Sequence, residues 1–116
     1  MDKITILEIK LQEIEDNDKL VNISHEYELL MQVAHNHGVP INEPPLMDMA
    51  NELFNVNKII WDTENELREI EGNDDLIPQF LAAARRAYLT NYRRYEIKRD
   101  INLQFLSDIV EEKKYG

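Results

Sequence analysis

LIPQFLAAARRAYLTNYRRYEIKRDINLQFLSDIVEE, residues 76–112, contains no glycine, and its single proline, Pro78, falls where the first turn of a helix has no amide to lose. Nothing in it stops a helix. At 1.5 Å per residue it spells a rod of roughly 55 Å, longer than any other segment of the chain can make. Such a rod overhangs a single partner helix, so its apolar stripe needs cover from two earlier helices or from a second copy. The stripe enters as Ile77, Leu81 and Ala84 and leaves as Phe105 and Ile109. Between them the same sector of the wheel carries Tyr88, Asn91, Tyr95, Lys98 and Asn102, with Arg94 at its edge. The expected core face therefore turns polar in mid-helix. Buried amides and ammonium groups are costly unless paired, so these residues should find partners in the chain, in a ligand or in another subunit.

Upstream, apolar residues also recur at three and four rather than at two, which means helix throughout. Ile4, Leu7, Leu11 and Ile14 form the first stripe, interrupted by Asp16, Asn17 and Asp18. Asp18 is the expected cap of a second helix bearing Leu20, Ile23, Tyr27, Leu30 and Ala34, and Gly38 is the expected left-handed stop. The prolines of GVPINEPP exclude helix until about Pro45. A third helix then carries Leu46, Met49, Leu53, Val56, Ile60, Leu67 and Ile70 in one heptad frame, broken by Thr63 and stopped by Gly72, with Asp74 or Asp75 capping the fourth. The expectation is an all-α antiparallel bundle of four helices, at about 2–16, 18–37, 45–71 and 76–112, in one domain over residues 1–116.

Composition bounds the function. Twenty-three acids against thirteen bases give a net charge of −10, which disfavours nucleic acid and anionic membrane unless a local patch overrides the field. The patch exists at residues 85–99, where Arg85, Arg86, Arg93, Arg94, Lys98 and Arg99 meet one acid, Glu96. In a hairpin about Gly72, residues whose numbers sum to about 147 lie level. Arg85 and Arg86 should then neighbour Asp62 and Glu64, Arg94 should neighbour Glu52, and Lys98 should neighbour Asp48, as a ladder that sets register. The absence of cysteine excludes disulfides and thiolate metal sites and suits a reducing, cytoplasmic setting. No apolar run reaches the ~18 residues of a membrane span.

No metal or cofactor is expected. His35 and His37 point to different faces of their helix, and His25 stands alone. The pairs Glu66 with Glu69 and Asp62 with Glu66 lack the second acidic pair on another helix that helical nucleotide pyrophosphohydrolases use. No glycine-rich phosphate loop and no GxSxG elbow occurs. Whether the protein is an enzyme stays open. Two readings of the basic stretch remain: a non-catalytic interaction or assembly protein, most simply a homodimer, or a binding site for a phosphate- or carboxylate-bearing small molecule lined by Asn91, Arg94, Lys98 and Asn102. Glu8, beside the first stripe, is expected near Lys98 or Arg94, and Glu64 inside such a site.

DKITILEIK (2–10), NKIIWDTENELR (57–68), AYLTNYRRYEIKRDIN (87–102) and VEEKKY (110–115) occur in the order seen in a family of short uncharacterised bacterial proteins, some encoded near surface-polysaccharide glycosyltransferases, and the chain resembles that family over nearly its whole length. The resemblance implies an all-helical fold and no known activity. It places Asp2, Lys3, Glu8, Trp61, Asp62, Glu64, Asn91, Arg94, Lys98, Arg99 and Asn102 at motif positions.

Overall fold

The computed structural model describes the backbone of residues 1–115 and the side chains of residues 1–104. The protein is all-α, with four helices and no strand among the described residues: α1 (Asp2–Glu13), α2 (Asn17–Asn36), α3 (Leu46–Ile70) and α4 (Ile77–Tyr115). A single 3-10 turn, Asp74–Leu76, leads into α4. Both turn glycines have positive φ, 69° at Gly38 and 81° at Gly72, which a side chain would resist. The caps differ from expectation by a residue or two. Asp16, not Asp18, caps α2 by accepting from the Asp18 and Lys19 amides. Asn73, not Asp74 or Asp75, accepts from the Asp75 amide. In each case the cap must lie outside the helix, where its backbone is extended, and the aspartates downstream are already inside.

The helices pack in the order α2, α1, α3, α4, with α1 between α2 and α3. The principal extents are 63 × 33 × 17 Å, close to one helix thick in the shortest direction. That arrangement decides burial. α1, covered on two sides, buries Thr5 and Ile9 as well as Ile4 and Leu7, so its apolar stripe is wider than the Ile4, Leu7, Leu11 series. α2, at the edge, has no fully buried residue. α3 buries Leu46, Leu53, Val56, Asn57 and Thr63, so the heptad frame holds with Thr63 as a buried member of it. The main core joins Leu46, Leu53 and Val56 of α3 to Ile97 and Ile101 of α4.

α4 is turned from the expected face. Its inward residues are Ala83, Ala87, Arg94, Ile97 and Ile101, while Tyr88 is 73% and Tyr95 61% exposed and Asn91 and Asn102 also face solvent. Asn91 donates to the carbonyl oxygen of Ala87 on its own helix, 3.0 Å away. The face with Tyr88 and Tyr95 lies about 100° round the helix from the one used, because Ala83 and Ala87 let α4 approach α3 closely where tyrosines would hold it off. The ladder shifts accordingly. Glu52 is met by Arg93 rather than Arg94, and Glu66 accepts from Arg86 at 2.8 Å. Phe105, Ile109 and the stretch 110–115 lie outside the described side chains.

Candidate functional site

Asp2 stands in the first turn of α1, where the helix N-terminus favours an anion. α3 brings Asn57 to it, and α4 brings Arg94 and Lys98. The Asn57 Nδ2 donates both to Asp2 Oδ1 at 3.0 Å and to Thr5 Oγ1 at 2.8 Å, and the Thr5 hydroxyl donates to the Asp2 carbonyl at 2.8 Å. Arg94 donates through Nε to Asp2 Oδ1 at 3.2 Å and through Nη2 to Oδ2. The Lys98 Nζ lies 3.5 Å from the same Oδ2. One carboxylate thus holds three helices at a point where Thr5 and Asn57 are buried. Burial by itself would push the Asp2 carboxyl up. The Asn57 amide, the Arg94 guanidinium and the charges of Arg94 and Lys98 outweigh it and hold the carboxyl below the usual aspartate range.

On the outer side of this node, Asn91, Arg94, Tyr95, Lys98, Arg99 and Asn102, with Leu103, line an open groove of about 450 Å³. All of its lining residues belong to α4, so the groove has one wall. The four groups Asn91, Arg94, Lys98 and Asn102 come together there, and Asp2 supports two of them from behind. Glu8 and Glu64 do not join them. Glu64 is exposed beside Arg68, with 3.9 Å between charged atoms. Glu8 faces another side of α1, towards Tyr27, in a recess under the 38–45 loop. Its carboxyl is pushed up by burial, and the Tyr27 hydroxyl is pushed up by burial and by the Glu8 charge. Asp2, not Glu8, is therefore the acid that meets Lys98 and Arg94. Six residues separate them on α1, which places them roughly 120° apart on the wheel.

Asn57 had a visible signal: a polar side chain one turn after Leu53 on the apolar stripe of α3. Tyr27 had none, since it reads as core. Among the described residues no cluster of three or more histidines or carboxylates could hold a metal ion, and no helix is long and apolar enough to cross a membrane.

Fold and site together define a small all-α protein of two joined helical hairpins, pinned by a carboxylate–guanidinium–amide node. The chain belongs to a family of unknown function, DUF6165, whose model matches residues 1–116. No curated protein and no solved structure matches it.

Proposed function

We propose that the protein is a non-catalytic assembly module that acts in the cytoplasm as a homodimer, associating through the outer face of α4. One observation carries this reading. Besides the stripe that meets α3, α4 bears a second one, roughly 150° away on the wheel, made of Ile77, Leu81, Tyr88, Tyr92, Tyr95 and Leu103, each 50–73% exposed. Single exposed apolar residues are ordinary; six aligned on one helix face, three of them tyrosines and with Arg85 and Arg99 between them, have the composition of an interface.

Charge supports a second copy running antiparallel. A parallel, in-register pair would set Arg85 against Arg85 and Arg99 against Arg99, and like charges facing one another are costly. In an antiparallel pair where residue numbers sum to about 180, Ile77 meets Leu103, Leu81 meets the aliphatic stem of Arg99, and Tyr88 meets Tyr92. Arg85, which has no ion pair or hydrogen bond among the described residues, comes to Tyr95 and Glu96. Sliding by a heptad to about 173 strands Leu103 and sets Ile77 on Glu96. The absence of native cysteine makes the test direct. Light scattering should give twice the 13.7 kDa chain mass. A mixture of Leu81→Cys and Arg99→Cys chains should form a disulfide-linked pair, while neither variant links to itself, because identical positions lie roughly 27 Å apart in that register. A monomer mass overturns the reading, and self-linking of Leu81→Cys overturns the antiparallel direction.

A second reading rests on the groove, where Arg94 and Lys98 share the one carboxylate of Asp2 and Arg99 stands beside them. Arg99 in turn lies 3.7 Å from Asp100, so three cations there meet two carboxylates, and the surface suits a phosphate- or carboxylate-bearing small molecule gripped by those cations with Asn91 and Asn102. On this reading inorganic phosphate or a nucleotide raises the thermal midpoint of the wild type and not of Lys98→Gln, whereas no shift with either removes it.

A further inference from the structure

A recess of about 230 Å³ opens between α1, α2, α3 and the 38–45 loop, with Met1 and Thr5, the neighbours of the Asp2 node, among its lining. Unlike the groove on α4, it has walls from several elements. Ile4, Met31, Met47 and Phe54 supply apolar surface, and Glu8, Tyr27, Asn42 and Asn51 supply polar groups. None of these four polar side chains makes a hydrogen bond or ion pair within the described residues. Tyr27 is near enough to feel the Glu8 charge, yet no hydrogen bond joins them. No ion pair reaches Glu8 among the described residues, and burial pushes its carboxyl up.

A half-buried carboxylate with nothing donated to it is held at a cost, and the surroundings specify what would relieve it. An anion is repelled. A neutral apolar molecule would strip Glu8 of water and give nothing back. Water can hydrate the polar part of the wall but brings no counter-charge to the carboxylate. A group that brings a positive N–H donor on an apolar stem satisfies both halves of the lining: the donor goes to Glu8 with the Tyr27 and asparagine oxygens beside it, and the stem goes against the methionines and Phe54. The size agrees, being below the roughly 300–1,000 Å³ of pockets for drug-sized ligands. The net charge of −10 adds long-range attraction for a cation.

We propose that this recess binds an aliphatic primary ammonium group, with Glu8 as its counter-ion. The group can be a free alkylamine or the side chain of a lysine presented by another protein, and the site recognises the shared chemistry. The site is independent of the α4 interface.

The test is calorimetric titration and thermal shift of the whole chain with n-pentylamine, with 1-pentanol as its uncharged counterpart, and with Nα-acetyl-lysine amide. The amine should bind and raise the thermal midpoint while the alcohol does not. Glu8→Gln, which keeps the shape and removes the charge, should weaken amine binding at least about tenfold, as loss of a charged hydrogen bond does. Ala50→Leu, which fills the recess and leaves Glu8 in place, should weaken it too, and Glu69→Gln, at an exposed carboxylate of α3 outside the recess, should leave it unchanged; circular dichroism verifies that each variant is folded. Tighter binding of the lysine amide than of pentylamine points to a protein lysine, and the reverse to a free amine. Equal binding of pentanol and pentylamine, undiminished binding by Glu8→Gln, or no binding of either amine at millimolar concentration overturns the proposal.

Discussion

Replacing Asp2 with alanine lowers the stability of the folded chain by roughly 2 kcal/mol, a fall of about 8 °C in thermal midpoint for a domain of this size. The side chain is small and about a fifth exposed, yet it is the shared acceptor for Asn57, Arg94 and Lys98. Without it, Arg94 keeps its charge at a place where its side chain is only 28% exposed, and the buried Asn57 amide keeps Thr5 alone. Removing one member of a fully buried ion pair costs about 3–5 kcal/mol, and the residual exposure here brings the figure down. The readout is denaturation at fixed protein concentration, with a cycle in which Asp2→Ala is repeated on Arg94→Leu. The loss should shrink there, because the stranded guanidinium is gone; equal losses in both backgrounds would show that Asp2 acts only as a helix-terminal charge. The pH dependence follows from the direction of the shift. The Asp2 carboxyl is held below its ordinary value, so its stabilisation is complete above that value and is lost as pH falls through the lowered one. Glu8 runs the other way. Its carboxyl is raised, so the native state takes up the proton first and the cost of the charge is relieved as pH falls towards the ordinary glutamate range. Asp2→Asn should therefore lessen the acid-side drop in midpoint, and Glu8→Gln should raise the neutral-pH midpoint.

The helices were legible because their interruptions are chemical. Gly38 and Gly72 sit at positive φ, Pro40, Pro44 and Pro45 fill the one long connection, and Asp16, Asn17 and Asp18 break the first stripe, so four segments follow without reference to tertiary structure. The face of α4 was not legible. Ala82, Ala83, Ala84 and Ala87 allow more than one side of the helix to meet α3, and the large residues that looked like core, Leu81, Tyr88 and Tyr95, were on the second stripe of a two-faced helix. A wheel detects that a stripe exists and says nothing of whether its partner lies in the same chain. The polar node was half legible for a related reason. Arg94 and Lys98 were singled out as groups that need a partner, but the partner came from ninety residues away, and an aspartate in a first helical turn reads as a favourable end charge. Glu8 adjoins the apolar stripe, which suggests it as that partner, but the same position delivers it to the recess beside Tyr27.

Leu53→Ala marks the other large effect and shows where stability resides. Leu53 is fully buried on α3 among Leu46, Val56, Ile97 and Ile101, the one cluster that joins the two longest helices. Truncation removes transfer energy and leaves a cavity walled by residues on two helices that already carry salt bridges outside it, so collapse is restricted and the cost should be about 3 kcal/mol. The same change at Leu29, on α2 and half exposed, should move stability by less than about 0.5 kcal/mol. The contrast follows from the row in which the helices pack. α3 has neighbours on both sides, whereas α2 touches α1 and has no fully buried residue. Hydrogen exchange should accordingly release the amides of α2 first, at a free energy well below that of global unfolding, and those around Leu53 last. Amine bound at Glu8 would reverse part of this order, because the recess is closed on one side by Tyr27 and Met31 of α2. Slower exchange across α2 in the presence of pentylamine, with no change around Leu53, would separate local clamping of that helix from general stabilisation of the fold.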